Sequence, residues 1–161
     1  MNHLNFSQSN DFTCGTKELP LSTFMIQRVS IPSIDLSPTE LNSRAGAKFT
    51  VAGDTLSFGT LDIEILIDES FSSYKELYQM LTKHVSLEKG TFGDFQFDFW
   101  VEGNNALGNS KIKWEFYNCR FQSFGSIDFS TTDDLTERTF SISLKFDYYE
   151  VLFPDLPILK I

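Results

Sequence analysis

Cysteine, histidine and basic residues are all scarce in this sequence, and each scarcity closes a class of explanation. Cys14 and Cys119 are the only cysteines in 161 residues. Neither belongs to a CxxC pair or has a histidine at ligand spacing, so the chain offers no structural zinc motif. They pair only if the fold brings them together, and a reduced intracellular setting is the simpler expectation. His3 and His84 are the only histidines. A Ser-His-Asp arrangement would have to use His84, and no GxSxG elbow accompanies it. A glycine-rich phosphate cradle is missing as well: Val51-Ala-Gly-Asp54 holds one glycine, and Gly103 to Gly108 leads into a strand pattern rather than a helix. Lys and Arg number 13 against 22 Asp and Glu, a formal charge of −9. Such a chain does not grip nucleic-acid phosphates. It repels them, or uses its charge for solubility alone. No apolar run approaches the roughly 20 residues of a membrane helix, and Met1 to Asn10 lack the charged and apolar regions of a secretory signal, so neither is expected.

What the sequence has is phenylalanine, 17 of them beside only five prolines. A chain of this length buries a core without metal or disulfide staples, and flat rings suit the pleated surfaces of sheets. Period-two patterns recur. Leu61, Ile63, Ile65 and Ile67 alternate with Asp62, Glu64 and Leu66, which predicts a strand with one buried face. Phe95, Phe97, Phe99 and Val101 oppose Gln96, Asp98 and Trp100; after a turn dense in Gly and Asn, Ile112, Trp114 and Phe116 oppose Lys111, Lys113 and Glu115. These two segments read as a hairpin, and Phe121 to Ser130 as a further strand. Phe140, Ile142, Leu144, Phe146 and Tyr148 alternate with Ser141, Ser143, Lys145, Asp147 and Tyr149, the longest such pattern, read as one strand from Thr139 to Tyr149.

Earlier in the chain, Phe24, Ile26 and Arg28 share one face of a strand that ends at Pro32. Ser33 to Lys48 reads as an extended connection or loose hairpin, and Lys48 to Asp54 as a short strand entering a Gly-Asp turn. One helix is expected at about 73–84. Ser73 and Glu76 have capping-box spacing, and Tyr74, Leu77, Tyr78 and Leu81 form an apolar stripe. His84 closes it in a capping or surface role. The organisation expected is a flexible arm over 1–20, a β domain over 21–150 and an apolar tail over 151–161.

Candidate chemistry is thin. Asp62, Glu64, Asp94 and Asp98 sit on or beside strands, where paired carboxylates would serve glycoside hydrolysis, but with 22 carboxylates in the chain some approach one another by chance, and a solvated strand face is the better reading. Asp133-Asp134 reads as a turn without the alternating oxygens of a calcium loop. No enzyme activity, cofactor or metal is expected. Trp100, Tyr117 and Tyr149 fall on strand faces where rings stack on sugars, which keeps a carbohydrate-binding sandwich as an alternative.

Ile31-Pro-Ser-Ile-Asp-Leu-Ser-Pro38, Phe49-Thr-Val-Ala-Gly-Asp54, the strand-helix run Leu61 to Leu81 and the ending Phe140-Ser-Ile-Ser-Leu-Lys-Phe-Asp-Tyr-Tyr-Glu150 together resemble the tail-tube protein family of contractile-tailed bacteriophages. The resemblance implies a mainly β fold, a sandwich or half-barrel of antiparallel strands flanked by one helix. It implies that six copies form a ring whose inner sheets join into one barrel, and that rings stack into a virion tube, assembled in the host cytoplasm, through which genomic DNA passes without specific binding. Partners would be further copies of the chain and other tube, baseplate hub and sheath proteins, with no membrane. The residues it points to for assembly are Phe24, Ile34, Val51, Gly53, Asp54, Ser141, Ser143, Lys145, Asp147, Phe153 and Leu156. The segment Asn10 to Pro20 and the apolar tail depart from the main tube subunit, so a baseplate hub or tube initiator of the same fold stands as the alternative.

Overall fold

The computed structural model describes residues 10–18, 25–42, 46, 48–51, 53, 55–85, 96–131 and 137–154. They form a mainly antiparallel β fold with one helix. The strands are β1 Phe12–Gly15, β2 Ile26–Ser30, β3 Ile34–Leu36, β4 Thr39–Asn42, β5 Lys48–Val51, β6 Leu56–Phe58, β7 Leu61–Leu66, β8 Phe97–Asn104, β9 Ser110–Phe124, β10 Thr139–Lys145 and β11 Tyr148–Leu152; the helix, α1, is Ser72–Val85.

β9 organises the molecule. Its 15 residues absorb both the second strand of the predicted hairpin and the start of the separate strand expected from Phe121, and no strand continues beyond Phe124. Along one edge it pairs with β8, from Asn104 opposite Ser110 to Phe97 opposite Cys119. Along the other edge it pairs first with β11 and then, beyond Tyr117, with β10. The order β1-β8-β9-β10-β7-β2, with β11 also on β9, therefore splits into two layers joined through one long strand.

The crease between the layers has a local cause. Asn118 adopts φ 56°, a left-handed conformation that asparagine tolerates better than most residues. Phe116 and Cys119 consequently both face inward and are fully buried, with two residues between them rather than one. The partner edge slips at the same level. Phe146 and Tyr149 are buried while Asp147 and Tyr148 are exposed, so the single strand expected from Thr139 to Tyr149 is instead β10 and β11 with a break at Phe146-Asp147. Tyr149, expected on the polar face, lies in the core, and Tyr148 lies outside. Asn118 ties the two bulges together by donating its side-chain amide to Asp147 Oδ2 at 3.0 Å, while the Asp147 amide donates to the Tyr117 carbonyl at 3.1 Å. Phe116, Phe146, Tyr149 and Phe58 fill the crease, with ring centroids 5.1 to 5.9 Å apart.

The remaining core follows the period-two expectation. Leu61, Ile63 and Ile65 of β7 meet Phe140, Ile142 and Leu144 of β10, and Phe97, Phe99 and Val101 of β8 meet Phe116 and Cys119. In β2 a shift between Ile26 and Arg28 turns both Ile26 and Val29 toward the core and leaves Arg28 exposed, which corrects the pairing of Ile26 with Arg28 on one face. Within the stretch read as an N-terminal arm, Phe12–Gly15 pairs with β8.

Helix α1 covers the β7–β10 side. Leu77 is fully buried, and Tyr74 packs edge-on against Phe140 at 5.4 Å. Tyr78, expected in the apolar stripe, is 51% exposed, and Met80 packs on the core in its place. The cap is Asp68 rather than Ser73. Asp68 Oδ1 accepts from the amides of Ser72 and Ser73 at 2.8 and 3.4 Å, and its carboxylate also accepts from the hydroxyls of Ser70 and Ser72. Ser73 turns inward to donate to the Leu66 carbonyl at 3.1 Å. The hydroxyls of Ser70 and Ser72, followed by these amides, hold the Asp68 carboxyl below its ordinary range.

Candidate assembly surface

Between β2 and β7 the chain makes a two-stranded arm. β3 pairs with β6, placing Ile34 opposite Phe58 and Leu36 opposite Leu56; farther out β4 pairs with β5, placing Thr39 opposite Val51 and Asn42 opposite Lys48. Residues two apart, and those directly across, share a face of such a ribbon. Ile34, Leu36, Leu56 and Phe58 therefore line one side and Asp35 and Ser57 the other. Phe58 anchors this line in the crease, 5.4 Å from Tyr149. Beyond it, Ile34 is 43%, Leu56 39% and Leu36 60% exposed. An apolar stripe thus leaves the core and runs out along the arm into solvent.

Midway the arm bulges. The pairing register shifts there, since Leu36 opposite Leu56 gives way to Thr39 opposite Val51, and the Ser37 amide donates to the Thr55 carbonyl at 3.3 Å. Gly53 lies against Ser37 so closely that a Cβ on it would stand 1.6 Å from the Ser37 carbonyl oxygen. The glycine serves this backbone approach rather than the hairpin turn that Gly-Asp spacing suggested. Of the residues expected at an assembly surface, Ile34, Val51 and Gly53 are brought onto the arm. Phe24, Asp54 and Leu156 lie outside the described residues. Phe153, after β11, is half-buried.

Ser141, Ser143, Lys145 and Asp147 lie elsewhere, on the solvent side of the β10 layer. Ser143 sits between Asp62 and Ser123 of the flanking strands and donates to Asp62 Oδ1 at 2.6 Å; Ser141 sits beside Glu64, whose Oε1 accepts from Thr139 at 2.8 Å. Arg28 lies across from Glu64 and Lys145 across from Arg120, which is ion-paired with Asp147. Asp62 and Glu64, weighed as catalytic carboxylates, are thus engaged by neighbouring hydroxyls on an open sheet face.

The outer face of the other layer has different chemistry. A groove of about 390 Å³ is lined there by Lys17, Glu18, Asp98, Trp100, Glu115 and Tyr117 together with Phe99 and Lys113. Lys113 lies 5.6 Å from the Trp100 ring and pairs with Glu115 at 2.7 Å and Glu102 at 3.7 Å. The hydrogen bond to Glu115 is the main cause that raises the Lys113 ammonium, and it lowers the Glu115 carboxyl in turn. Burial and then the Glu115 carboxylate, which accepts from Tyr117 at 2.9 Å, push the Tyr117 phenol up. Trp100 and Tyr117 are half-buried within this network while Tyr149 is inside the core, so the three aromatics weighed as a sugar platform do not share a surface. Among the described residues no group of three or more His, Cys, Asp or Glu is placed to hold a metal, and no helix is long and apolar enough to cross a membrane.

Sequence reasoning missed Leu36, Leu56 and Phe58 as one stripe. The available signal was apolar residues at even spacing on either side of Gly53.

No family model and no curated protein matches the sequence, but solved structures match the fold over nearly its whole length. A chain of the six-fold symmetrised baseplate of the anti-feeding prophage superposes with TM-score 0.70 at 12% identity, covering 95% of this chain and 99% of that one. A chain of the anti-feeding prophage cap, which terminates the tube, gives 0.69 at 14%, covering 95% of both. A chain of the extended PVC sheath-tube complex, an extracellular contractile injection system, gives 0.66 at 16%, covering 91% of both. The protein has the tail-tube-like fold that these contractile machines share, antiparallel sheets with a single described helix.

Proposed function

We propose that this protein is a structural subunit of the tube of a contractile tail or injection machine. Copies associate into rings, six to a ring, and rings stack into a conducting channel. The observation that carries this reading is the arm: an isolated two-stranded ribbon is at best marginally stable in water, yet this one holds Ile34, Leu36 and Leu56 out of the core on a single face. An apolar stripe of that kind is stabilised when a second subunit covers it. The full-length likeness to chains of a baseplate, a tube cap and a sheath-tube complex supports the same conclusion.

Within this reading the partners are further copies of the chain and the tube, hub and sheath proteins of its machine. The particle is a phage virion tail or a related injection apparatus assembled in the host cytoplasm, and cargo such as genomic DNA passes without specific binding. A baseplate hub or tube initiator uses the same contacts with unlike neighbours, and the likeness to a baseplate chain keeps that role as the second reading.

Electron microscopy of the concentrated protein tests the proposal. Wild type is expected to form rings or tubes, and Leu36→Asp, at a position already 60% exposed, to remain monomeric with an unchanged melting temperature. Rings formed equally well by Leu36→Asp would remove the arm from assembly, and the absence of rings in wild type and in the parent particle would end the tube reading.

A further inference from the structure

The groove on the outer face of β8 and β9 lies apart from the arm, and its lining is mixed in a way that selects a ligand. We propose that this groove binds a neutral pyranose, one sugar ring of a glycan, with Trp100 and Tyr117 as its aromatic walls. The site is complete within a single chain, so it stands whether or not copies of the chain form rings.

Three neighbouring strands shape it. Residues directly opposite one another share a face, which puts Gly15 of β1 on one side of Trp100 and Glu115 of β9 on the other. Gly15 carries no side chain, so that flank of the Trp100 ring is open toward Lys17 and Glu18, which follow β1 and line the groove. The opposite wall is fixed before any ligand arrives. Tyr117 stacks on Tyr148 with ring centroids 4.8 Å apart and donates to Glu115 at 2.9 Å. Lys113 stands 5.6 Å over the Trp100 ring while paired with Glu115 at 2.7 Å. Groups held in this way lose little further freedom when a ligand binds.

The charges decide the class of ligand. Lys17 and Lys113 stand among Glu18, Asp98 and Glu115 around one groove of about 390 Å³, within the range of about 300–1,000 Å³ usual for small-molecule sites. A phosphate or other anion meets the carboxylates there, and an ammonium meets the two lysines. A sugar hydroxyl both donates and accepts hydrogen bonds, so a neutral polyol satisfies groups of both signs. A pyranose adds an apolar C–H face, and the half-buried Trp100 offers a flat apolar body on which such a face packs. Tyr149, the third aromatic weighed for sugars, lies in the core and takes no part.

A glycan array tests the assignment. It carries neutral pyranosides of varied configuration beside sialylated and sulfated glycans, and is probed with the full-length chain detected through an epitope tag. Wild type is expected to bind a neutral subset, and calorimetry with the same free glycans gives the affinities. Trp100→Ala should weaken that binding by at least about tenfold, and Trp100→Phe, which keeps a ring, should weaken it less. Because Trp100 is half-buried, Lys17→Ala at an exposed position guards against a folding artefact: affinity should fall by about threefold with an unchanged melting temperature. Binding to no neutral glycan overturns the proposal. So does binding confined to charged glycans, or neutral binding that both Trp100→Ala and Lys17→Ala leave intact. Electron microscopy of the same wild-type sample reports ring formation separately, so failure of the tube reading and failure of this site are distinguishable.

Discussion

Gly53→Ala separates the arm from the core more cleanly than any other single substitution. The added Cβ would stand 1.6 Å from the Ser37 carbonyl oxygen and 2.5 Å from its carbon, and Cβ atoms essentially never come closer than 3.0 Å to other heavy atoms. The two backbones must part by at least 1.4 Å, the difference between 3.0 and 1.6 Å. Both atoms belong to main chain, so no side-chain rotation relieves the contact. The Ser37 amide already reaches the Thr55 carbonyl at 3.3 Å, near the limit of a useful hydrogen bond, and separation breaks it. The rungs on either side, Leu36 opposite Leu56 and Thr39 opposite Val51, then lose alignment.

One backbone hydrogen bond and the local distortion together amount to about 1–2 kcal/mol, set against a total stability of about 5–15 kcal/mol for a domain. The core should therefore survive with its melting temperature lowered by only about 2–8 °C. Hydrogen exchange is expected to show the asymmetry: amides of β3 to β6 lose protection by about tenfold, the equivalent of about 1.4 kcal/mol, while β7 and β10 keep theirs. Ring formation should fall with the arm. Gly46→Ala is the matched control, because Gly46 has φ 77° with nothing within 4 Å of the place its Cβ would take, and only local strain of about 1–2 kcal/mol at the tip follows. Unchanged arm exchange and wild-type assembly in Gly53→Ala would refute the steric argument.

The crease, the cap and the thiols give further outcomes. Phe116→Ala removes a fully buried ring in contact with Phe146 and Tyr149, so urea denaturation should show a loss of about 3–5 kcal/mol; a loss under about 1 kcal/mol would mean that the crease collapses around the gap. Asp68 has a folded pKa below its unfolded value of about 3.8, so the unfolded state binds more protons as the solution is acidified. Its contribution is complete above about pH 4 and is lost as pH falls further. Asp68→Asn should flatten the acid limb of a stability-against-pH curve, and parallel limbs in variant and wild type would contradict the capping role. Burial raises the Cys14 thiol to about 11 and the Cys119 thiol to about 12. Iodoacetamide at about pH 8 should modify native protein slowly and unfolded protein rapidly, and equal rates would argue against the packing described.

Strands with one face in the core were legible because burial imposes a period. Leu61, Ile63 and Ile65, and Phe97, Phe99 and Val101, alternate with polar residues and lie inside as read. The C-terminal pattern misleads for a physical reason: Phe146 through Tyr149 is aromatic at three of four positions, so a one-residue slip leaves the pattern looking continuous. The turn at Asn118 is hidden likewise, since a left-handed asparagine inside a strand has no signature in alternation. Capping-box spacing points to Ser73 because it looks back three residues, whereas Asp68 reaches forward across the loop to the Ser72 and Ser73 amides. The arm was least legible of all. Ile34 and Leu36 are exposed in the subunit, and a ribbon without a buried face has no internal reason to show a burial period.

That last failure bears on the candidate surface itself. Within a single chain, sequence pattern records burial, and an exposed apolar stripe is stabilised when another surface covers it. The arm stripe, anchored in the crease by Phe58, is such a case where Ile34, Leu56 and Leu36 are apolar yet exposed. The β10 face is the converse: its rows of Ser30, Asp62, Ser143 and Ser123, and of Arg28, Glu64 and Ser141, are polar, so little is gained by covering them. One molecule thus carries a surface that burial would stabilise and a surface that would gain little from it, at different places on the same β framework. A second copy that covers the arm would meet the first need and leave the β10 face in water, which is why the tube reading predicts that Leu36→Asp disturbs association and that polar changes on the β10 face do not.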